Sequence, residues 1–194
     1  MSEEQVRRVQ GMGTPLAVSS EPRPRSLVER ILIRFPILPR VLALAWSRLP
    51  PRSRLRRALT AHNLRRAYEA ANRRDFDVLL LSIDPEIEFQ FDESPLGGML
   101  PPDLIGVHHG QDAYVRVWKS GLEASHDYRL EPEEVIDLGD RLLVAGRQRG
   151  PGTTSGVPFD EPLLSLFTLR RGLVVRLKDF ATRDKALQAA GLSD

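Results

Sequence analysis

Asp179 stands where a carboxylate is out of place. In the alternating run 173–180 it shares parity with Val175 and Leu177, while Arg176 and Lys178 take the opposite side. A carboxylate on an apolar, concave sheet face has its proton affinity raised by desolvation, which suits a general base near neutral pH. The same position also fits a strand-end aspartate that pairs with an arginine or closes a turn. Arg147 is the cation that would complement it, as stabiliser of an enolate or as its ion-pair partner. Its direction stays open. Arg147 is in phase with Leu143 and Ala145, Gln148 with Leu142 and Val144, and both sets are apolar, so an outward Arg147 reads equally well. His108 and His109 end a glycine- and proline-rich segment just ahead of a helix. From there an imidazole can overhang a pocket and shuttle protons, or simply pack and cap. Adjacent residues of an extended segment face opposite ways, so at most one of the two acts; His109 is the candidate shuttle and His108 a candidate ligand contact.

A second set supplies walls rather than chemistry. Phe89, Phe91, Trp118, Tyr128 and Phe167 fall on apolar phases, and Ser165 interrupts the Leu163–Phe167 side as a polar contact. Tyr68 packs on a helix face with a hydroxyl that can reach a cavity. For each of these alone, core packing competes with ligand contact. Together they predict a pocket more apolar than polar, suited to a ring-shaped or lipid-like molecule. No His or carboxylate set has metal-ligand spacing, there is no cysteine, and the glycines at 150–156 lack the following helix and lysine of a phosphate loop. Neither a metal nor an organic cofactor is expected.

These residues need elements to hold them. The spacing of Leu55, Leu59, Leu64, Tyr68 and Ala71 predicts a helix over 53–72, and 75–81 adds another turn or two. Residues 86–92 alternate as a half-buried strand, with Ile87, Phe89 and Phe91 on one side. A long loop over 94–110 leads to a helix over 111–124. Strands follow at 128–137, 141–149, 161–169 and 173–180, and a closing helix at 183–190 ends on Gly191. Upstream, Ser26 and Glu29 form a capping box for a short helix that stops by Pro36. A second apolar helix runs over 39–49. Residues 1–25 read as a disordered tail, 26–57 as an amphipathic helical extension and 58–194 as one domain.

Charge divides along the same line. Residues 1–60 hold 12 arginines and 4 glutamates, whereas the remainder is acidic, so the net charge of +2 hides a basic extension on an acidic domain. The arginines lack interleaved stacking aromatics, which argues against nucleic acid. A basic amphipathic segment can lie on an anionic membrane surface, or dock on the domain or on a second subunit. No basic-then-apolar leader pattern is visible at the start, and a cytoplasmic protein is expected.

The order of elements resembles the SnoaL-like branch of the nuclear-transport-factor-2-like superfamily. The wording of residues 66–75, 84–89, 133–141, 146–150 and 185–192 carries the likeness, as does His109-Gly110 before the helix. It covers roughly residues 60–192. The resemblance implies an α+β fold, a cone-shaped, curved antiparallel sheet wrapped around helices, with an apolar pocket between them. It also implies a homodimer through the outer sheet face. Relatives include ketosteroid isomerases, but Tyr68 falls one residue from the position of their catalytic tyrosine, and Asp92 one residue beyond that of their base. Two classes of function remain. One is a cofactor-independent isomerase or cyclase with Asp179 or a histidine as base and Arg147 at the oxyanion. The other is a non-catalytic binder of a small hydrophobic molecule.

Overall fold

The computed structural model describes residues 13–18, 23–91, 98–123, 127–151 and 158–192 of the 194-residue chain. A two-residue strand β1 (Thr14–Pro15) comes first, followed by helices α1 (Leu27–Arg34), α2 (Ile37–Ser47), α3 (Arg54–Asn72) and the single turn α4 (Phe76–Leu79). Next come β2 (Ile83–Gln90), β3 (His108–His109) and α5 (Gln111–Glu123). Four long strands, β4 (Arg129–Asp137), β5 (Arg141–Gly150), β6 (Phe159–Arg170) and β7 (Leu173–Asp179), lead to α6 (Arg183–Ala189).

Helix starts follow the side chains that cap them. Ser26 and Glu29 form the reciprocal capping box on α1, and Ser53, Asp75 and Thr182 each accept from the amide three residues on, at α3, α4 and α6. Asn72, at the end of α3, donates to the Leu130 carbonyl and accepts from the Leu130 amide, which locks the helix against β4.

The seven strands form one unclosed sheet in the order β1-β4-β5-β6-β7-β2-β3, antiparallel except for β2 beside β7. Together with the helices this is the α+β cone expected from the sequence. On the inner face, Ile87, Phe89, Val144, Leu163 and Leu177 join α3 and α5 in the main core. On the outer face Ile136, Leu143, Leu164 and Leu166 are covered by Ala186, Leu187 and Ala190 around α6. Both faces are therefore apolar, the reason why phase alone left Arg147 and Gln148 undecided. The outer face, expected to pair with a second copy, carries α6 over β4 to β6.

Two close approaches require glycine. At the bulge in β4 between Pro132 and Glu134, a Cβ on Gly146 would lie 2.2 Å from the Glu131 carbonyl oxygen. At the β6–β7 turn, Arg171 and Gly172 have φ of 54° and 81°, the positive pair of a two-residue hairpin, and a Cβ on Gly172 would lie 2.1 Å from the Ala43 carbonyl oxygen. Helix α2 thus rests its backbone directly on that turn.

The extension is bound to the domain by two polar clusters. Arg56, 2% exposed, donates to Asp137 at 2.8 and 3.0 Å, to the carbonyls of Ser47, Leu49 and Gly139, and stacks over Trp46. Trp46 Nε1 donates to Thr60, which in turn donates to Asp137. The second cluster links Glu29 to Arg73 (2.7 Å), Arg73 to Asp75 (3.2 Å) and Asp75 to Arg25 (2.6 Å). Burial works to raise the pKa of both carboxyls. The arginines, with the amides of Ser26 and Val78, outweigh it and hold Glu29 and Asp75 below the usual range.

The structure corrects the expected boundaries at β2 and near the start of the chain. Strand β2 begins at Ile83, so Asp84 and Pro85 lie within it; Pro85 falls in the irregular stretch between Ile83 and Glu88, where no ladder donor is needed. Asp92 lies outside the described residues. Residues 14–16 are not without structure: Thr14 and Pro15 pair with Val135 and Glu134, and Leu16 is buried with its amide on the Glu133 carbonyl.

Candidate functional site

Between the inner face of the sheet, α3 and α5 lies a cavity of ≈ 560 Å³. Its sheet side is built from Ile87, Leu130, Leu142, Leu163, Phe167 and Leu177, all aimed inward by the period of two along their strands. Phe91, Tyr114, Trp118 and Tyr128 form an aromatic wall with successive ring centroids 5.7 to 6.3 Å apart. From the other side Leu32, Pro39, Ala43, Trp46 and Leu49 of the extension close over it. The cavity is far more apolar than polar.

One polar group reaches deep into the apolar wall. Asp179, 7% exposed, accepts a 2.6 Å hydrogen bond from Ser165, its register partner across β6 and β7. Both line the cavity, as does Tyr68. The β6–β7 pairing carries a bulge that leaves Val175 unmatched, so Val174 rather than Val175 joins Leu177 and Asp179 at the wall. Burial first, and the charge of Asp179 second, push the phenols of Tyr68 and Tyr128 well above their ordinary pKa; burial also raises Tyr114. All three therefore stay protonated, as hydrogen-bond donors beside a carboxylate. Tyr128 spends its proton on Gln148 Oε1 at 2.6 Å, and Gln148 donates to the Pro162 carbonyl at 2.7 Å.

The cavity continues to the surface as a groove between α1, α2 and α3. Val28, Leu42 and Leu55 line it and are also more than half exposed. His62, Asn63 and Arg66 supply polar groups on the α3 side, and burial lowers the pKa of Arg66 despite the opposing charge of Glu29.

The structure gathers Asp179, Ser165, Tyr68, Phe91, Trp118, Tyr128 and Phe167 around one cavity. It does not bring Arg147, His108, His109 or Phe89 there. Arg147 points outward from β5, 39% exposed, and donates to the Asp160 side chain and carbonyl on the neighbouring strand. Gln148, 1% exposed, holds the inward phase instead. His108 stacks on Phe89 at 5.4 Å and its Nε2 meets the Leu104 carbonyl oxygen, so it fastens the preceding loop to β2. His109 is exposed on the edge strand opposite Glu88. Phe89 is core between β2 and α5, edge-on to Tyr114 at 5.2 Å. Sequence reasoning missed Tyr114 and the extension's wall residues as lining of the cavity. Tyr114 and Trp118 stand four apart on α5, a spacing that marks them as one face; nothing in the sequence said that α2 would close the cavity.

A profile of the SnoaL-like domain family matches residues 64–177, more than half of the chain. No curated protein matches significantly. Among solved structures, TerC co-crystallised with polyporic acid superposes with a TM-score of 0.53 at 21% identity, over 66% of this chain and 94% of that one. An NTF2-like protein of unknown function from Burkholderia pseudomallei gives 0.52 at 24%, over 66% and 93%. A protein from a soil-derived mobile gene cassette gives 0.53 at 18%, over 68% and 95%. At these identities the likeness is one of fold. About two fifths of this chain, including α1 and α2, lies outside the family match.

Proposed function

Since this chain belongs to the SnoaL-like domain family, we propose that its cavity takes up a small, largely apolar molecule with a ring carbonyl, and that Asp179 moves a proton on it. The observation that carries the reading is the placement of Asp179 with Ser165 and Tyr68 in an otherwise apolar cavity. Sites of this kind combine apolar walls for binding with a few placed polar groups for orientation. Co-crystallisation of TerC, a protein of the same fold, with polyporic acid supports an organic occupant.

The Asp179 carboxylate takes a proton from the carbon next to the carbonyl, and the electron pair moves onto oxygen. The enolate oxygen accepts a hydrogen bond from the protonated Tyr68 phenol, a donor already in place before the charge develops. Where a carbon–carbon double bond is conjugated with the enolate, the proton returns from Asp179 to the far carbon of that system and the double bond shifts, which isomerises the molecule. Alternatively the enolate carbon attacks a second carbonyl and closes a ring, and the proton on Asp179 passes to the alkoxide that forms. Ser165 donates to Asp179 Oδ1 and fixes the carboxylate in the cavity wall.

A second reading, a binder without turnover, draws on how thoroughly apolar the walls are. The experiment that separates the two uses cyclic ketones and quinones as probes, first screened by thermal stabilisation of the full chain. For the best ligand, exchange of its α-protons with D₂O is followed by NMR. Catalysis predicts exchange with the wild type and its loss in Asp179→Asn, with thermal stabilisation retained. Exchange that persists in Asp179→Asn removes Asp179 as the base; stabilisation without exchange in the wild type leaves the binder.

A further inference from the structure

Helices α1 and α2 turn an apolar side to solvent as well as one to the domain. Leu27, Ile31, Phe35, Ile37 and Val41 are each at least half exposed, Leu27 and Ile37 to 75% and 74%. Of the exposed large apolar side chains among the described residues, none lies on a strand. At about 100° per residue, Leu27, Val28 and Ile31 fall in one arc of α1 beside Arg30 and Arg34, and Ile37, Leu38 and Val41 in one arc of α2 beside Arg40.

The charge around this surface is one-sided. Glu29 is the only acidic residue between positions 26 and 57, and it is turned inward to Ser26 and Arg73. Arg30, Arg34, Arg40, Arg48 and Arg54 are exposed and enter no ion pair among the described residues. A face both apolar and cationic repels a second copy of itself. It matches a layer that is anionic at its surface and apolar beneath, where arginine stems lie along the interface and their heads meet phosphates. The groove that leads into the cavity opens in the same place, walled by Val28, Leu42 and Leu55. Among the described residues no helix is long and apolar enough to cross a membrane, so the pair would lie in its plane.

We propose that α1 and α2 seat the protein on an anionic lipid bilayer, with the cavity mouth turned toward it, so that an apolar ligand passes between the bilayer and the cavity. The test is sedimentation of the full chain with vesicles of phosphatidylcholine alone or mixed with phosphatidylglycerol, at low and high salt. Binding to the mixed vesicles, weakened by salt and nearly absent on phosphatidylcholine, is expected. Arg30→Gln and Arg40→Gln each lower the partition coefficient about fivefold. Ile31 and Ile37 stand outside the cavity wall. The double variant Ile31→Glu/Ile37→Glu abolishes vesicle binding while its melting temperature and thermal response to cavity ligands stay those of the wild type. A folded wild type that remains in the supernatant with anionic vesicles overturns the proposal. If that protein is a dimer which the double variant splits, the face belongs to a second copy. Vesicle binding untouched by the double variant overturns it as well.

Discussion

Replacing Tyr68 by phenylalanine removes one donor and no volume of consequence. If its phenol meets the developing oxyanion, Tyr68→Phe lowers kcat about 10²- to 10³-fold with little change in KM, measured on the ligand that emerges from the thermal screen. Tyr128→Phe tests the neighbouring network and not the chemistry. It leaves Gln148 Oε1 buried without its donor, so a loss of about 1–3 kcal/mol in urea unfolding is expected. The inward placement of Asp179, Ser165 and Phe167 was readable because each interrupts or continues an alternating apolar run. That of Arg147 was not. Its strand is apolar on both faces, and only α6, a distant segment of the chain, makes the outer one so. Histidines at a loop end carried no direction at all, and the stacking of His108 on Phe89 is a tertiary fact.

The elements themselves were largely legible, since caps, glycines and periodicity are local. Their docking was not, and α2 is the instructive case. Its sequence is apolar nearly all round, which leaves open what it packs against, and the answer lies in Gly172 more than a hundred residues away. In Gly172→Ala a Cβ meets the Ala43 carbonyl at a residue that also needs positive φ. We expect a loss of at least about 1–2 kcal/mol and faster tryptic cleavage at the arginines between α2 and α3. Unchanged cleavage would show that α2 does not rest on the turn. The Glu29–Arg73–Asp75–Arg25 cluster predicts a pH effect. Both carboxyls have folded pKa values below their unfolded ones, so their contribution is present above the ordinary carboxylate range, about pH 4–5, and is lost as pH falls through the depressed values. Hydrogen exchange in α1 should accelerate below about pH 4 before exchange in β5 and β6 does.

As a whole, the molecule joins a cone of the SnoaL-like family to a helical extension that forms the far wall of its cavity. The cone was legible from the order of elements; the roofed cavity was not, because its second half comes from outside the resembling segment. The basic extension on an acidic domain is one consequence of that composition, and an apolar chamber roofed by α1 and α2 is the other. Both tryptophans of the chain, Trp46 on the extension and Trp118 on α5, line this chamber. Titration of Trp46→Phe and Trp118→Phe with a hydrophobic quinone, read by the fluorescence of the tryptophan that remains, therefore probes both walls at once. A shared internal chamber predicts saturable quenching with the same dissociation constant and one-to-one stoichiometry in the two variants. Quenching that rises linearly without saturation, or that saturates for one tryptophan only, would contradict it.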